Sequence, residues 1–349
     1  MDNYLLAFLL ATSVIIFPGF LGKYKKQSLH ILAITIAFIF AAPSVALPEY
    51  TARNPVPVIT IRGMEFCTSL TALHLSHMDL SDEDIAPLKY MTNLTSLDLG
   101  FSRISDITPL TGLVKLTSLY LGGNRINDIT PLTDLVNLTS LNLRFNQISD
   151  ITPLTNLVNM KWLSLDANQI SNITPLTNLV NLTRLWLSSN QINDVTPLTN
   201  LVNLEWLDLP GNQISDIAPL ANLVNLTGLN LNYNQINDIT PLTGLVYLRW
   251  LDLYSNQISD IAPLTNLVNL YVLLLSNNQI NDVTPLISLV NLTQLSLNEN
   301  QINDITPLTG LVNLICFDLD NNPISDARLL ADLTNSTCRL CSLKYYCSF

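Results

Sequence analysis

The sequence predicts an α/β solenoid of about twelve turns. Parallel strands line its concave face, and short helical or 3-10 turns line its convex face. Three observations carry this reading. An asparagine recurs at Asn124, Asn146, Asn168, Asn190, Asn212, Asn234, Asn256, Asn278, Asn300 and Asn322, each step 22 residues. A proline recurs at the same step from Pro87 to Pro307. Around each asparagine the leucines keep one pattern. In "LEWLDLPGNQISDIAPLANLVN", residues 204–225, it is Leu204, Leu207, Leu209, Asn212 and Ile214. One such unit cannot bury its own apolar side, so stacked copies share a continuous core. This is a leucine-rich repeat array.

Each column of the repeat has a physical job. In "WLDLP", Leu207 and Leu209 point into the core by the strand period of two, while Trp206, Asp208 and Pro210 point outward. Asn212 follows where the chain leaves the strand. Its amide can pair with backbone groups that the turn would otherwise bury unsatisfied. Stacked copies would form an asparagine ladder from Asn124 to Asn322. Then "DIAPLANL" descends the outer side. Most copies read Thr-Pro there, as in Thr108-Pro109, which suits Thr as N-cap and Pro at the first position of a short helical turn. The recurring Asp of this column, as at 106, 128 and 150, is read as a local backbone hydrogen-bonding residue.

Residues 73–326 form the array, with strands starting at Leu73, Leu97 and Leu119 and every 22 residues on to Phe317. The first turn is irregular, with 24 residues between Leu73 and Leu97. Residues 47–72, including "VPVITIRGMEFCTSL", read as an N-terminal cap strand with a partial repeat, which puts Cys67 in an interior column. Residues 327–349 read as a C-terminal cap, where "ISDARLLADL" has lost its proline and could form an amphipathic helix. End turns should be atypical, because they must cover the exposed core.

Residues 1–46 read as an export signal or membrane-anchoring segment. Two apolar stretches, Tyr4–Gly22 and Leu29–Phe40, flank the basic run Lys23-Tyr24-Lys25-Lys26. The second has the layout of a cleavable secretory signal, with Ser44 and Ala46 at the small-residue positions. The alternative is an uncleaved hairpin that holds the chain at the membrane. Both put the body of the chain outside, because the lysines stay on the cytoplasmic side.

The line "LTDLVNLTSLNLRFNQISDITP", Leu132 to Pro153, resembles the 22-residue repeat of the bacterial internalin-like class. The resemblance covers residues 63–326. It implies a secreted or surface-displayed binding protein without enzymatic activity, several such proteins engaging host partners through the concave strand face. This chain lacks an LPxTG-type sorting signal and an obvious immunoglobulin-like segment, so host invasion does not carry over. The 22-residue class also includes cytosolic phosphatase regulators, against which the export signal argues.

The chain has 349 residues, 48% of them hydrophobic and 12% charged, with a net charge of −11. No strongly basic run lies in the array, so a phosphate-backbone footprint is absent and nucleic acid is excluded as the expected partner. The outward strand positions are those the fold dictates least. They carry Trp162, Arg184, Trp206 and Trp250, with Trp186 two residues along the Arg184 strand. Strands lie about 4.8 Å apart, so Arg184 is expected to stack between the indoles of Trp162 and Trp206. Phe145, Tyr233 and Tyr254 lie near the same face. Asp166, Glu205, Asp208 and Asp252 flank it and favour a partner with basic or hydroxyl-rich groups. The predicted ligand site is therefore Trp162, Arg184, Trp186, Trp206, Asp208, Trp250, Asp252 and Tyr254. Its ligand is a protein or peptide, with a glycan as the alternative. A 44-residue step separates Trp162, Trp206 and Trp250, so duplication of repeat pairs could also have copied them.

No motif for catalysis, nucleotide binding or metal binding is present, and no cofactor is expected. Asp318, Asp320 and Asn322 begin like a calcium loop, but Pro323 and Leu329 occupy its glycine and final acid positions. Cys316, Cys338, Cys341 and Cys347 cluster toward the C-terminus, and a disulfide tying Cys316 to one of the other three would suit an exported chain. The function predicted is exported binding through the concave face. The alternative is a membrane-anchored envelope scaffold without a specific ligand.

Overall fold

The computed structural model describes residues 57–326, 328 and 329. The apolar segments before residue 47 and the cysteines at 338, 341 and 347 lie outside these residues, as does most of the predicted C-terminal helix. Among the described residues no helix is long and apolar enough to cross a membrane.

The described chain opens with a hairpin of β1 (Val58–Ile61) and β2 (Met64–Cys67), paired antiparallel. Arg62 and Gly63 make its two-residue turn with φ of 49° and 78°, the left-handed pair that such a tight loop needs. Ile59 and Ile61 are buried against the first turns. The expected cap strand with a partial repeat is therefore corrected to a hairpin. Cys67 is likewise not in an interior column. It ends the antiparallel strand half-buried, with its Sγ 2.7 Å from Ser69 Oγ. The hydroxyl holds the thiol pKa below its ordinary value. The repeat register begins only at Leu73.

Twelve three-residue strands then form one parallel sheet in chain order, from β3 (Ala72–His74) to β14 (Cys316–Asp318). Those between are β4 (Ser96–Asp98), β5 (Ser118–Tyr120), β6 (Ser140–Asn142), β7 (Trp162–Ser164), β8 (Arg184–Trp186), β9 (Trp206–Asp208), β10 (Gly228–Asn230), β11 (Trp250–Asp252), β12 (Val272–Leu274) and β13 (Gln294–Ser296). The register places like residues side by side: Leu185 on Leu207, Leu207 on Leu229, Leu229 on Leu251. Every central strand residue is buried, so the pleat sends the flanking residues to the opposite face.

The asparagines join successive turns. Asn212 Oδ1 accepts the Ile192 amide at 3.0 Å, and its Nδ2 donates to the carbonyls of Leu187 and Leu209, both at 3.0 Å. The same three bonds recur at Asn124, Asn146, Asn168, Asn190, Asn234, Asn256, Asn278, Asn300 and Asn322. One side chain thus satisfies backbone groups of two turns that the leucines bury away from water.

On the outer side, 3-10 turns such as Thr108–Leu110 and Ala218–Leu220 return the chain to the sheet. The Thr before Pro is not the cap expected of it. It is the first residue of the turn, and the acceptor lies two residues earlier: Asp106 Oδ1 takes the Thr108 amide at 2.8 Å. The intervening Ile107 is buried and has no side chain able to cap. The bonds from Thr130 and Thr152 hold the carboxyls of Asp128 and Asp150 below the ordinary carboxylate value. The longer first turn holds a short α-helical segment, α1 (Asp82–Ile85). Ser81 caps it and Asp84 reaches back to the Ser81 amide at 2.8 Å, a capping box that uses the two extra residues.

Candidate ligand-binding face

All four tryptophans of the chain stand on the strand face, opposite the leucine core. They are half-buried by packing on one another rather than inserted into the core. In register, the first strand position reads Ala72, Ser96, Ser118, Ser140, Trp162, Arg184, Trp206, Gly228, Trp250, Val272. Small residues therefore serve the solenoid equally well at this position.

The rings form two pairs. Trp162 meets Trp186 of the next strand with centroids 5.1 Å apart and planes tilted by 48°, and Tyr120 borders Trp162 at 6.4 Å. Trp206 stacks on Trp250 at 5.3 Å and 24°. These two lie on strands separated by a third, a backbone distance of about 9.6 Å. Gly228 on that third strand makes the contact feasible. A Cβ on Gly228 would lie 2.2 Å from Cε3 and Cζ3 of Trp206. The indole thus occupies the space a side chain would take and lies across the empty rung. The expected sandwich of Arg184 between Trp162 and Trp206 is corrected accordingly. Each indole turns away from Arg184 toward another ring, and Arg184 stays exposed between the pairs. Tyr254 meets Tyr233 edge-on at 5.0 Å beside the second pair. Phe145 instead joins Arg144 at the turn edge.

The carboxyls on this face are sunk among these groups. Asp252 is 6% exposed, and its oxygens accept the Tyr254 amide at 2.9 Å and Asn232 Nδ2 at 2.7 Å. Burial raises its pKa despite these donors. Asp208 is pushed up to about 7, chiefly by burial and further by the charges of Asp166 and Asp252, against the lowering effect of Asn230 and Ser188. Asp166 accepts Ser164 Oγ at 2.7 Å, with the Ser188 amide at 3.0 Å and Ser188 Oγ at 2.6 Å. Only Glu205 of the four flanking acids lies off the face, one residue before its strand. Sequence reasoning gave Gly228 no role, although a glycine inside a strand is the usual mark of a close approach. Among the described residues no group of three His, Cys, Asp or Glu side chains could hold a metal ion.

The comparisons with known proteins place this architecture. Family models of leucine-rich repeats match residues 68–126, 114–156, 158–200, 202–244 and 248–288. An internalin (inlF) from Listeria monocytogenes is 36% identical, matches 78% of this chain and 88% of its own, and superposes with a TM-score of 0.69. The chain belongs to the internalin-like leucine-rich repeat proteins. Internalin C2 (inlC2) from the same organism is 38% identical to this internalin-like chain over 54% of it and 84% of inlC2, with a TM-score of 0.53. TLR13, solved in complex with ssRNA13, is 28% identical over 70% of this chain and 38% of its own, with a TM-score of 0.57. No curated protein matches the chain. The repeat fold is one typical of protein–protein interaction and ligand binding.

Proposed function

We propose that this internalin-like chain is exported and holds a protein or peptide ligand on its strand face. Trp162, Trp186, Trp206 and Trp250 are the anchors, with Arg184, Asp208, Asp252 and Tyr254 around them. One observation supports this reading most. Three of the four rings, Trp162, Trp206 and Trp250, fill a column that elsewhere uses Ala and Ser, so the solenoid does not need them there. Clustered aromatics outside a core are the common anchors of binding energy. Arg184, exposed between the two ring pairs, adds a fork of donors for a partner's carbonyl or carboxylate. A glycan could use the same rings and buried acids. The acidic balance of the chain weighs against nucleic acid despite the RNA complex of TLR13.

A pull-down with the full chain tests the proposal, wild type against the Trp162→Ala/Trp206→Ala/Trp250→Ala variant. Partners retained by wild type and lost by the folded variant support it. Equal recovery on both sinks it. The two apolar segments before residue 47 favour a second reading, an envelope scaffold held by an uncleaved hairpin. Retention of the native protein in washed membranes, with no partner dependent on the tryptophans, would favour that reading.

A further inference from the structure

A second aromatic surface lies where the N-terminal strands give way to their turns. One column of the repeat is left-handed in every turn, from His77 at φ 61° to Asn321 at φ 58°. Glycine and asparagine suit that conformation, and bulky side chains do not. Gly123, Gly211, Asn277 and Asn321 follow the rule, but Phe101, Phe145 and Tyr233 do not. These three rings are also 43%, 54% and 54% exposed. Neither backbone preference nor core packing accounts for them.

Phe101 and Phe145 converge on a built feature. Gly122 and Gly123 leave one rung without side chains, and its neighbours lean over it from both sides. A Cβ on Gly123 would lie 2.6 Å from Phe101 Cδ1, and one on Gly122 would lie 3.0 Å from Arg144 Cγ. Arg144 Cζ ends 5.8 Å from the Phe101 ring centre and 5.7 Å from that of Phe145. His77 stacks on Phe101 at 4.5 Å with planes 7° apart. The guanidinium is exposed and held by the rings. The arginine ion pairs among the described residues are those of Arg62 with Asp84 and Arg103 with Asp79, not of Arg144.

The charge of the chain is polarised around this feature. Residues 73–184 carry seven basic residues against ten acidic ones, a net of −3. Residues 205–326 carry Arg249 alone against twelve acidic residues, a net of −11. An anionic group is thus repelled far less at the N-terminal turns than further along.

We infer that the edge formed by Phe101, Gly122, Gly123, Arg144 and Phe145 receives a carboxylate-bearing segment of a protein partner. An Asp or Glu of that segment pairs with the Arg144 fork while its apolar neighbours lie on the two phenylalanine rings. A guanidinium already ordered by two rings loses little freedom on pairing, and its planar fork matches a carboxylate.

Selection from a random peptide library displayed on phage, with the full chain as bait, tests this. Selected peptides should carry more Asp and Glu than the starting library. Arg144→Ala should weaken them roughly tenfold or more, the effect of losing a charged hydrogen-bonded pair. The Phe101→Asn/Phe145→Asn variant should also lose them while melting no lower than wild type, which separates contact from fold. Trp206→Ala should leave them bound, so failure here is distinct from failure of the tryptophan face. A selection without acidic enrichment, or acidic peptides held equally by Arg144→Ala, overturns the inference.

Discussion

Trp206 stacks on Trp250 at 5.3 Å across Gly228, which holds the two strands apart but leaves their rings in contact. The pair exists because the residue between has no side chain. Gly228→Ala should break it. The added methyl would meet the Trp206 ring at 2.2 Å, and overpacking of that kind costs about 1–3 kcal/mol. Unfolding in denaturant should show the loss, and near-ultraviolet circular dichroism should show the separated indoles. In the Trp206→Ala background the same glycine change should cost almost nothing, since the clash has gone. An equal cost in both backgrounds would refute the seat assigned to Gly228.

Trp206→Ala alone should abolish or strongly weaken capture of the partner and shift the melting temperature by only a few degrees. Its first-strand position is filled by Ser96, Ser118 and Ser140 in other turns without loss of register. Thermal melts beside the pull-down decide the matter. A collapse in stability would make Trp206 a structural residue.

Asp208 should give stability an unusual pH dependence. Its carboxyl titrates near 7 in the folded chain, against an ordinary value of 3.8. The folded state therefore binds that proton more tightly than the unfolded state. The stability it contributes is full below pH 3.8 and is lost as pH rises through about 7. The carboxyls that cap the outer turns, such as Asp128, Asp150 and Asp194, act in the opposite sense, because their pKa values are lowered. Their contribution is present above 3.8 and lost as pH falls below it. The melting temperature should thus peak in mildly acidic buffer, between those limits. Asp208→Asn should raise it at pH 8 and flatten the slope on the alkaline side. Asn142 and Asn230 already occupy the same strand position. A melting curve on the alkaline side unchanged by the substitution would refute the assignment.

Asn212→Ala should cost roughly 1–3 kcal/mol, the penalty of leaving buried backbone groups unpaired. The loss should be local as well as global. The Ile192 amide, which donates to Asn212 Oδ1 at 3.0 Å, should exchange its hydrogen faster than its counterparts Ile170 and Ile214. Equal exchange at all three would mean that the ladder bond is not what protects it.

Phe145→Asn should leave stability unchanged or raise it, by up to about 1 kcal/mol. Asparagine tolerates the left-handed backbone better than a bulky ring does, and the lost contact with Arg144 is worth only about 0.5–1 kcal/mol at an exposed site. Asn277 and Asn321 hold the same backbone conformation, at φ 54° and 58°. A clear fall in the unfolding midpoint would make Phe145 a structural residue.

Much of the fold was legible because the repeat states it many times over. Leu207, Leu209, Asn212, Ile214 and Pro219 each recur at one step, and a strand period of two assigns each a side without coordinates. The candidate site was legible only as a row of residues on one face. Trp162, Trp206 and Trp250 were placed there correctly, but their partners were not. Two indoles can meet across an intervening strand only where that rung is empty, so a ring's partner depends on which neighbouring rung has no side chain. The hairpin over the N-terminal core was missed for another reason: "VITIRGMEFC" has the alternation of a strand but belongs to no repeat.

The sequence by itself determined the solenoid, its twelve turns and the direction of each column. Each follows from a period, and a period survives without knowledge of any contact. Only the tertiary structure decided that Trp206 reaches Trp250 and not Arg184, that Asp252 is a buried acid and Asp208 a half-buried one, and that Arg144 sits between Phe101 and Phe145. These are outcomes of side chains from adjacent turns competing for the same few ångströms. Gly122, Gly123 and Gly228 settle that competition by leaving the space open.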